Sequence, residues 1–122
     1  MHNSSIDPNF VSLIFRYNEP SVSILFTGDI PSEVLNKLLN IPELKSSILK
    51  VPHHGSKTGL NREFLTIVDP LISIISVGKN NRYGHPSPEI LDLFQKLHKR
   101  YLRTDIEGNI VFKIRGDKFE RL

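Results

Sequence analysis

A chain of 122 residues with 39% hydrophobic and 24% charged side chains has the make-up of one globular domain, large enough to bury a core of its own. Its formal charge of +3 is compatible with a polyanionic partner without demanding one. With no cysteine, disulfides, thiolate ligands and cysteine nucleophiles are excluded, so any metal has to be held by His, Asp or Glu.

Residues 1–8 are polar and turn-rich and are expected to form a frayed N-terminal lead-in that includes His2; residues 9–122 form the domain. Phe10 to Tyr17 is dense in β-formers, Asn18-Glu19-Pro20 turns the chain, and Val22-Ser23-Ile24-Leu25-Phe26 returns as the second strand of a hairpin. That strand runs directly into Thr27-Gly28-Asp29. Pro31-Ser32 then opens a helix whose stripe is Val34, Leu35, Leu38 and Leu39, and Pro42 ends it. Ser47 to Val51 is a short strand leading into His53-His54-Gly55-Ser56, and Asn61 caps a helix that runs to Val68 before Asp69-Pro70 breaks it.

Leu71 to Val77 is apolar almost without interruption, the pattern of a strand buried on both faces. The loop from Gly78 to Pro86 follows, and Ser87-Pro88 marks the start of a helix with Ile90, Leu91, Phe94 and Leu97 on one side. Tyr101-Leu102-Arg103 reads as a strand, Glu107-Gly108-Asn109 as a turn, and Ile110 to Ile114 as a last strand. The order is β-hairpin, α, β, α, β, α, β, β, which predicts an α/β layered architecture. No apolar run approaches the roughly 20 residues of a membrane span, and no signal peptide pattern opens the chain.

Three segments that follow apolar strands carry the candidate chemistry. Asp29 stands beside a glycine at the end of a strand, where a carboxylate can ligate a metal or, alternatively, cap the next helix. His53 and His54 are adjacent, so on an extended backbone they point to opposite sides and only one faces a given ion; the other contacts substrate or orients its neighbour. His85 lies in a loop with Lys79, Asn80, Asn81, Arg82 and Tyr83, which offers cationic and amide donors to an anion and an imidazole for proton transfer or ligation. Lys50 and Lys57 add positive charge near the histidines, a field suited to phosphate esters. Ser56 is not in a Gly-x-Ser-x-Gly elbow, and His98 belongs to a helix surface.

Together, Phe26-Thr27-Gly28-Asp29, Leu49-Lys50-Val51-Pro52-His53-His54-Gly55-Ser56-Lys57-Thr58 and Ile75 to Pro86 resemble the C-terminal half of the metallo-β-lactamase-fold domain of ComEC-type DNA-internalisation (competence) proteins. The likeness runs from about Asn9 to Phe112, and Arg103-Thr104-Asp105 with Glu107-Gly108 fits its ending. The resemblance implies one half of an αββα sandwich, with Asp29 as the bridging carboxylate of a two-metal site that holds zinc or manganese. It also implies that His54, or His53 in its place, is the terminal ligand of the second ion, and that His85 contacts substrate or transfers a proton. Ser56, Lys79, Asn81, Arg82 and Tyr83 are the expected substrate contacts, and His85 and His53 the expected catalytic groups.

The His-x-His-x-Asp-His motif of that family is absent from the sequence. The expectation is therefore a fragment, inactive alone, that becomes a metal-dependent phosphodiesterase or nuclease of DNA uptake when an N-terminal half-domain completes it and covers an open apolar sheet face. Self-association through that face is the other way to cover it. The alternatives are a non-catalytic remnant that binds DNA or a partner chain, and half of a hydrolase for another phosphoester. Within a larger ComEC-like protein the domain would lie in the bacterial cytoplasm or at the outer face of the membrane.

Overall fold

The computed structural model describes residues 8–122, so most of the expected lead-in, His2 included, lies outside the described residues. Pro8 opens a 3-10 turn, Pro8–Val11. Strand β1 (Phe15–Glu19) and strand β2 (Val22–Phe26) pair antiparallel as the expected hairpin, although β1 starts later than its run of β-formers suggests. Strands β3 (Ile48–Lys50), β4 (Ile72–Ile75) and β5 (Tyr101–Arg103) then add in sequence order, each parallel to the one before.

Crossovers between parallel neighbours are right-handed, so three that step the same way across a sheet place their helices on one face. These are α1 (Ser32–Leu35), which continues as a 3-10 turn, α2 (Arg62–Val68) and α3 (Pro88–Lys96). Side-chain alternation sorts the strands accordingly. Leu25, Leu49 and Ser73 stand in register on the helix side, where Leu25 and Leu49 share a core with Leu35, Phe64, Leu65 and Phe94. Ile24, Ile48 and Ile72 stand in register on the other side. The α/β architecture expected from the alternation is thus present, with a mostly parallel five-stranded sheet.

Local signals set the ends of the elements. Asn61 caps α2, its Oδ1 accepting from Phe64 N at 2.9 Å, and Asp69 ends that helix in the left-handed region at φ 46. Ser87 holds the N-cap position of α3, but its hydroxyl makes no capping bond and is buried without a partner. Its backbone is committed elsewhere, since Ser87 N donates to Gly55 O at 2.9 Å and ties the start of α3 to the histidine loop.

The C-terminal end differs from expectation. Thr104–Glu107 forms a helical turn, α4, where the sequence predicts only a turn at Glu107-Gly108-Asn109. The strand leading to Gly116 is one arm of a hairpin, β6 (Phe112–Arg115) with β7 (Lys118–Arg121), because Gly116 at φ +57 suits a two-residue turn. Phe112 and Phe119 from this hairpin pack on Val22, Ile48 and Ile72. The sheet face expected to be bare is therefore partly covered by the chain itself. Beside the hairpin a cleft of about 720 Å³ remains, floored by Ile24, Phe26, Ile48 and Ile74. No helix among the described residues is long and apolar enough to cross a membrane.

Candidate functional site

Because β2, β3 and β4 are parallel, their C-terminal ends open onto one edge of the sheet, and the loops that leave them are neighbours. The first loop turns at Gly28, whose φ of +56 a β-carbon would strain and whose open side lies against Ser12. Thr27 is fully buried and donates from Oγ1 to Lys50 O at 2.9 Å. Gly28 O accepts from His53 N at 3.1 Å, a direct tie between the Asp29 loop and the histidine loop. Asp29 does not cap α1: Pro31 holds that position, with no side-chain capping bond, and the carboxylate is left to the rim.

The histidine pair departs from the extended backbone expected for it. His53 (φ 48, ψ 45) and His54 (φ 55, ψ 22) are both left-handed, and Gly55 follows at φ 81. Successive side chains in such a turn diverge less than the opposite-facing pair of a strand, so both imidazoles line one pocket rather than flanking a strand. Each left-handed residue without a glycine costs about 1 kcal/mol or more, and the surrounding bonds hold it there. Ser56 N donates to His53 O at 2.9 Å, and the His54 ring meets Ser76 O at 2.7 Å.

That last contact fixes the chemistry of His54. A carbonyl only accepts, so Nδ1 carries the proton and Nε2 of the neutral ring presents a lone pair. Nε2 faces Asp29 Oδ1 at 3.5 Å. Two donors about 2.1 Å from one tetrahedral ion stand about 3.4 Å apart, so this pair has the separation of adjacent ligands. The same pair becomes a salt bridge when the imidazole is protonated.

The third loop is organised by Asn81. Its Nδ2 donates to His85 O at 2.7 Å and to Gly78 O at 3.2 Å, while its Oδ1 accepts from His85 N at 3.0 Å and Tyr83 N at 3.2 Å. The amide is thereby committed to shaping the loop, which ends in a cis His85–Pro86 bond. Tyr83 stacks on His85 with ring centres 5.8 Å apart, and His85 meets His53 edge-on at 5.9 Å. Burial, then the nearby His53 and His54 rings, hold the His85 imidazole below its ordinary pKa, so it is neutral at pH 7.

Asp29, His53, His54, Tyr83 and His85 thus meet around a pocket of about 310 Å³, joined by Asn9. Asn9 was not singled out in the sequence because a lone asparagine beside a proline carries no pattern. The other expected contacts are placed differently. Ser56 is buried, its Oγ 3.1 Å from Thr58 Oγ1 and accepting from Thr58 N at 3.3 Å, so its hydroxyl serves its own turn. Lys79 and Arg82 are exposed on the third loop and do not line the pocket. Among the described residues no group of three or more His, Asp or Glu is placed to hold an ion, and Asp29 and His54 are the pair among them whose separation matches adjacent ligands.

The far side of His54 is braced from the start of α4, directly after β5. Thr104 Oγ1 accepts from Val77 N at 2.8 Å and donates to Val77 O at 3.0 Å, pinning the residue next to the Ser76 carbonyl. Arg103 and Asp105 form a two-bond pair on either side, at 3.0 and 2.7 Å. Thr104→Val keeps the shape but strands both backbone groups, and is expected to lower unfolding free energy by about 2 kcal/mol, read by urea denaturation. Thr104→Ser should recover most of the loss; an undiminished midpoint in the valine variant would refute this role.

No family model matches the chain. It is 40% identical over 109 residues to ComE operon protein 3 of Bacillus subtilis, an alignment covering 88% of this chain and 14% of that protein. It is 31% identical over 122 residues to Competence protein ComA of Neisseria gonorrhoeae, covering 97% of this chain and 18% of that protein. It is 28% identical over 113 residues to Recombination protein 2 of Haemophilus influenzae, covering 92% and 14%. The chain spans less than a fifth of the length of these curated relatives. Over nearly its whole length, therefore, it is the homologue of one segment of a set of competence-related proteins.

Proposed function

We propose that this chain is the C-terminal half of a metallo-β-lactamase-like domain that hydrolyses phosphodiesters, DNA foremost, in the service of DNA uptake. The observation that carries the reading is the facing of Asp29 Oδ1 and His54 Nε2 at 3.5 Å, with His54 Nδ1 locked on Ser76 O and two further imidazoles around the same pocket. The likeness to competence-related proteins supports DNA as the substrate class. Asp29 and His54 would hold a divalent ion, zinc or manganese. Such an ion lowers the pKa of bound water and polarises a phosphoryl oxygen. His54 presents its lone pair because Nδ1 is proton-bound, and Asp29 adds the charge that a cation needs. His85, neutral at pH 7, accepts or passes a proton at its ring nitrogen, with Tyr83 stacked against it. His53 contacts the substrate beside it, and the exposed Lys79 and Arg82 draw the polyanion to the rim.

A complementary half-domain would supply the remaining ligands and seat against the cleft floored by Ile24, Phe26, Ile48 and Ile74. A second reading, a module that binds DNA or a partner without turnover, is favoured by one observation: the described residues alone provide no group of three ligands. Calorimetric titration with Mn²⁺ and Zn²⁺, alongside cleavage of single-stranded DNA, separates the two. The hydrolase reading expects ion binding that weakens at least about tenfold in both Asp29→Ala and His54→Ala, with any cleavage lost in step. Ion binding without cleavage, even with the complementary segment supplied, favours the module. Binding or cleavage that survives both substitutions would overturn the site.

A further inference from the structure

Lys50 is the only charged residue among the described residues lining the 720 Å³ cleft, where it shares the floor with Phe26, Ile48 and Ile74. It lies in register between Phe26 and Ile74, on the face away from the helices. An ammonium among apolar side chains is costly, and burial holds its pKa below the ordinary lysine value despite the opposing pull of Asp29. Besides that pull it gains a hydrogen bond: Nζ donates to Gly28 O at 3.3 Å. That oxygen is also the acceptor for His53 N at 3.1 Å, and Thr27 Oγ1 donates back to Lys50 O at 2.9 Å. Every bond in this knot joins the strand end that carries Asp29 to the strand that carries the two histidines.

We propose that Lys50 is a positioning residue: its ammonium and the His53 amide clamp the Gly28 carbonyl from two sides and so set the Asp29–His54 separation. It touches neither ligand, and on charge alone it opposes a cation placed between them. The two effects of removing it therefore have opposite signs. If Lys50 acts only as a nearby charge, Lys50→Met tightens cation binding, and salt erases the gain. If it acts as a clamp, Lys50→Met weakens cation binding, by the roughly 10- to 100-fold typical of groups that orient a ligand from outside the ion's own shell.

The ion-binding arm rests on the hydrolase reading above, so a second measurement stands free of it. Native-state hydrogen exchange at the His53 amide reports the knot directly, with no metal present. The expected results are weaker Mn²⁺ and Zn²⁺ binding in Lys50→Met by calorimetry at both low and high salt, faster exchange at His53, and recovery of both in Lys50→Arg, which restores charge and donor. Lys50→Gln repeats the neutral test with a shorter polar side chain should Lys50→Met not fold. If the wild-type chain binds neither ion, even with the complementary segment supplied, while exchange at His53 still rises in Lys50→Met and recovers in Lys50→Arg, the clamp stands and the metal reading falls. Exchange unchanged in the neutral variants, or ion binding tightened in them, overturns the clamp.

Discussion

Gly55→Ala is expected to lower unfolding free energy by about 3 kcal/mol and the midpoint of thermal unfolding by roughly 10 °C. Two costs add. At φ +81 an alanine is strained by about 1 to 2 kcal/mol. Its β-carbon would also stand 2.7 Å from Pro86 Cβ and 3.1 Å from Pro86 Cα, against backbone that cannot yield freely because Ser87 N is bonded to Gly55 O. Overpacking of that kind costs about 1 to 3 kcal/mol. Gly116→Ala isolates the first cost, since Gly116 has a similar positive φ of +57 and nothing within 4 Å of an added β-carbon. Gly116→Ala should therefore lose only about 1 kcal/mol by calorimetric unfolding. Equal losses at the two glycines would mean that the Gly55–Pro86 contact contributes nothing. The same clash bears on the site, because Pro86 follows His85 and any retreat of the proline moves that ring.

The layout of the sheet was legible because its signals are local and repeated. Ile48, Leu49 and Val51, or Ile72, Ile74 and Ile75, can only be strands buried between neighbours, and the intervening helices announce themselves through Asn61 and Ser87-Pro88. Once strands are parallel, the segments after β2, β3 and β4 must share an edge, so the meeting of Asp29, His54 and His85 followed from chain order. The bonds that turn this meeting into a site were not legible. Those of Ser76 and Val77 run through backbone carbonyl and amide groups, which every residue possesses, and only the fold brings His54 and Thr104 to them. The left-handed histidine turn was not legible because histidine, though enriched in that region over most residues, adopts it only in a small minority of cases, and Gly55 was the sole hint of it. The second arm of the C-terminal hairpin was missed for another reason. Lys118-Phe119-Glu120-Arg121 carries one apolar residue among charges, and its pairing with β6 and the contact of Phe119 with the sheet decide what propensity does not.

Substitution of the two histidines by asparagine should separate strain from function. Asparagine adopts the left-handed region more readily than histidine does, without the extra unfolded-state freedom of glycine. His53 makes no side-chain hydrogen bond shown among the described residues, so His53→Asn is expected to stabilise the fold by about 0.5 to 1 kcal/mol. His54→Asn gains the same relief but loses the bond to Ser76 O, worth about 1 kcal/mol, and should leave stability nearly unchanged. For ion binding the order reverses. His54→Asn removes the lone pair opposite Asp29 and should weaken Mn²⁺ binding about 100-fold, whereas His53→Asn should weaken it severalfold at most. A protein that becomes more stable when the His53 imidazole is replaced, and loses most of its ion binding when the one braced on Ser76 is replaced, is holding strained side chains for the sake of a ligand. If His53→Asn abolishes ion binding and His54→Asn spares it, the two roles are exchanged. If both variants unfold earlier than the wild type, the left-handed turn is no reservoir of strain, and the argument from it to function fails.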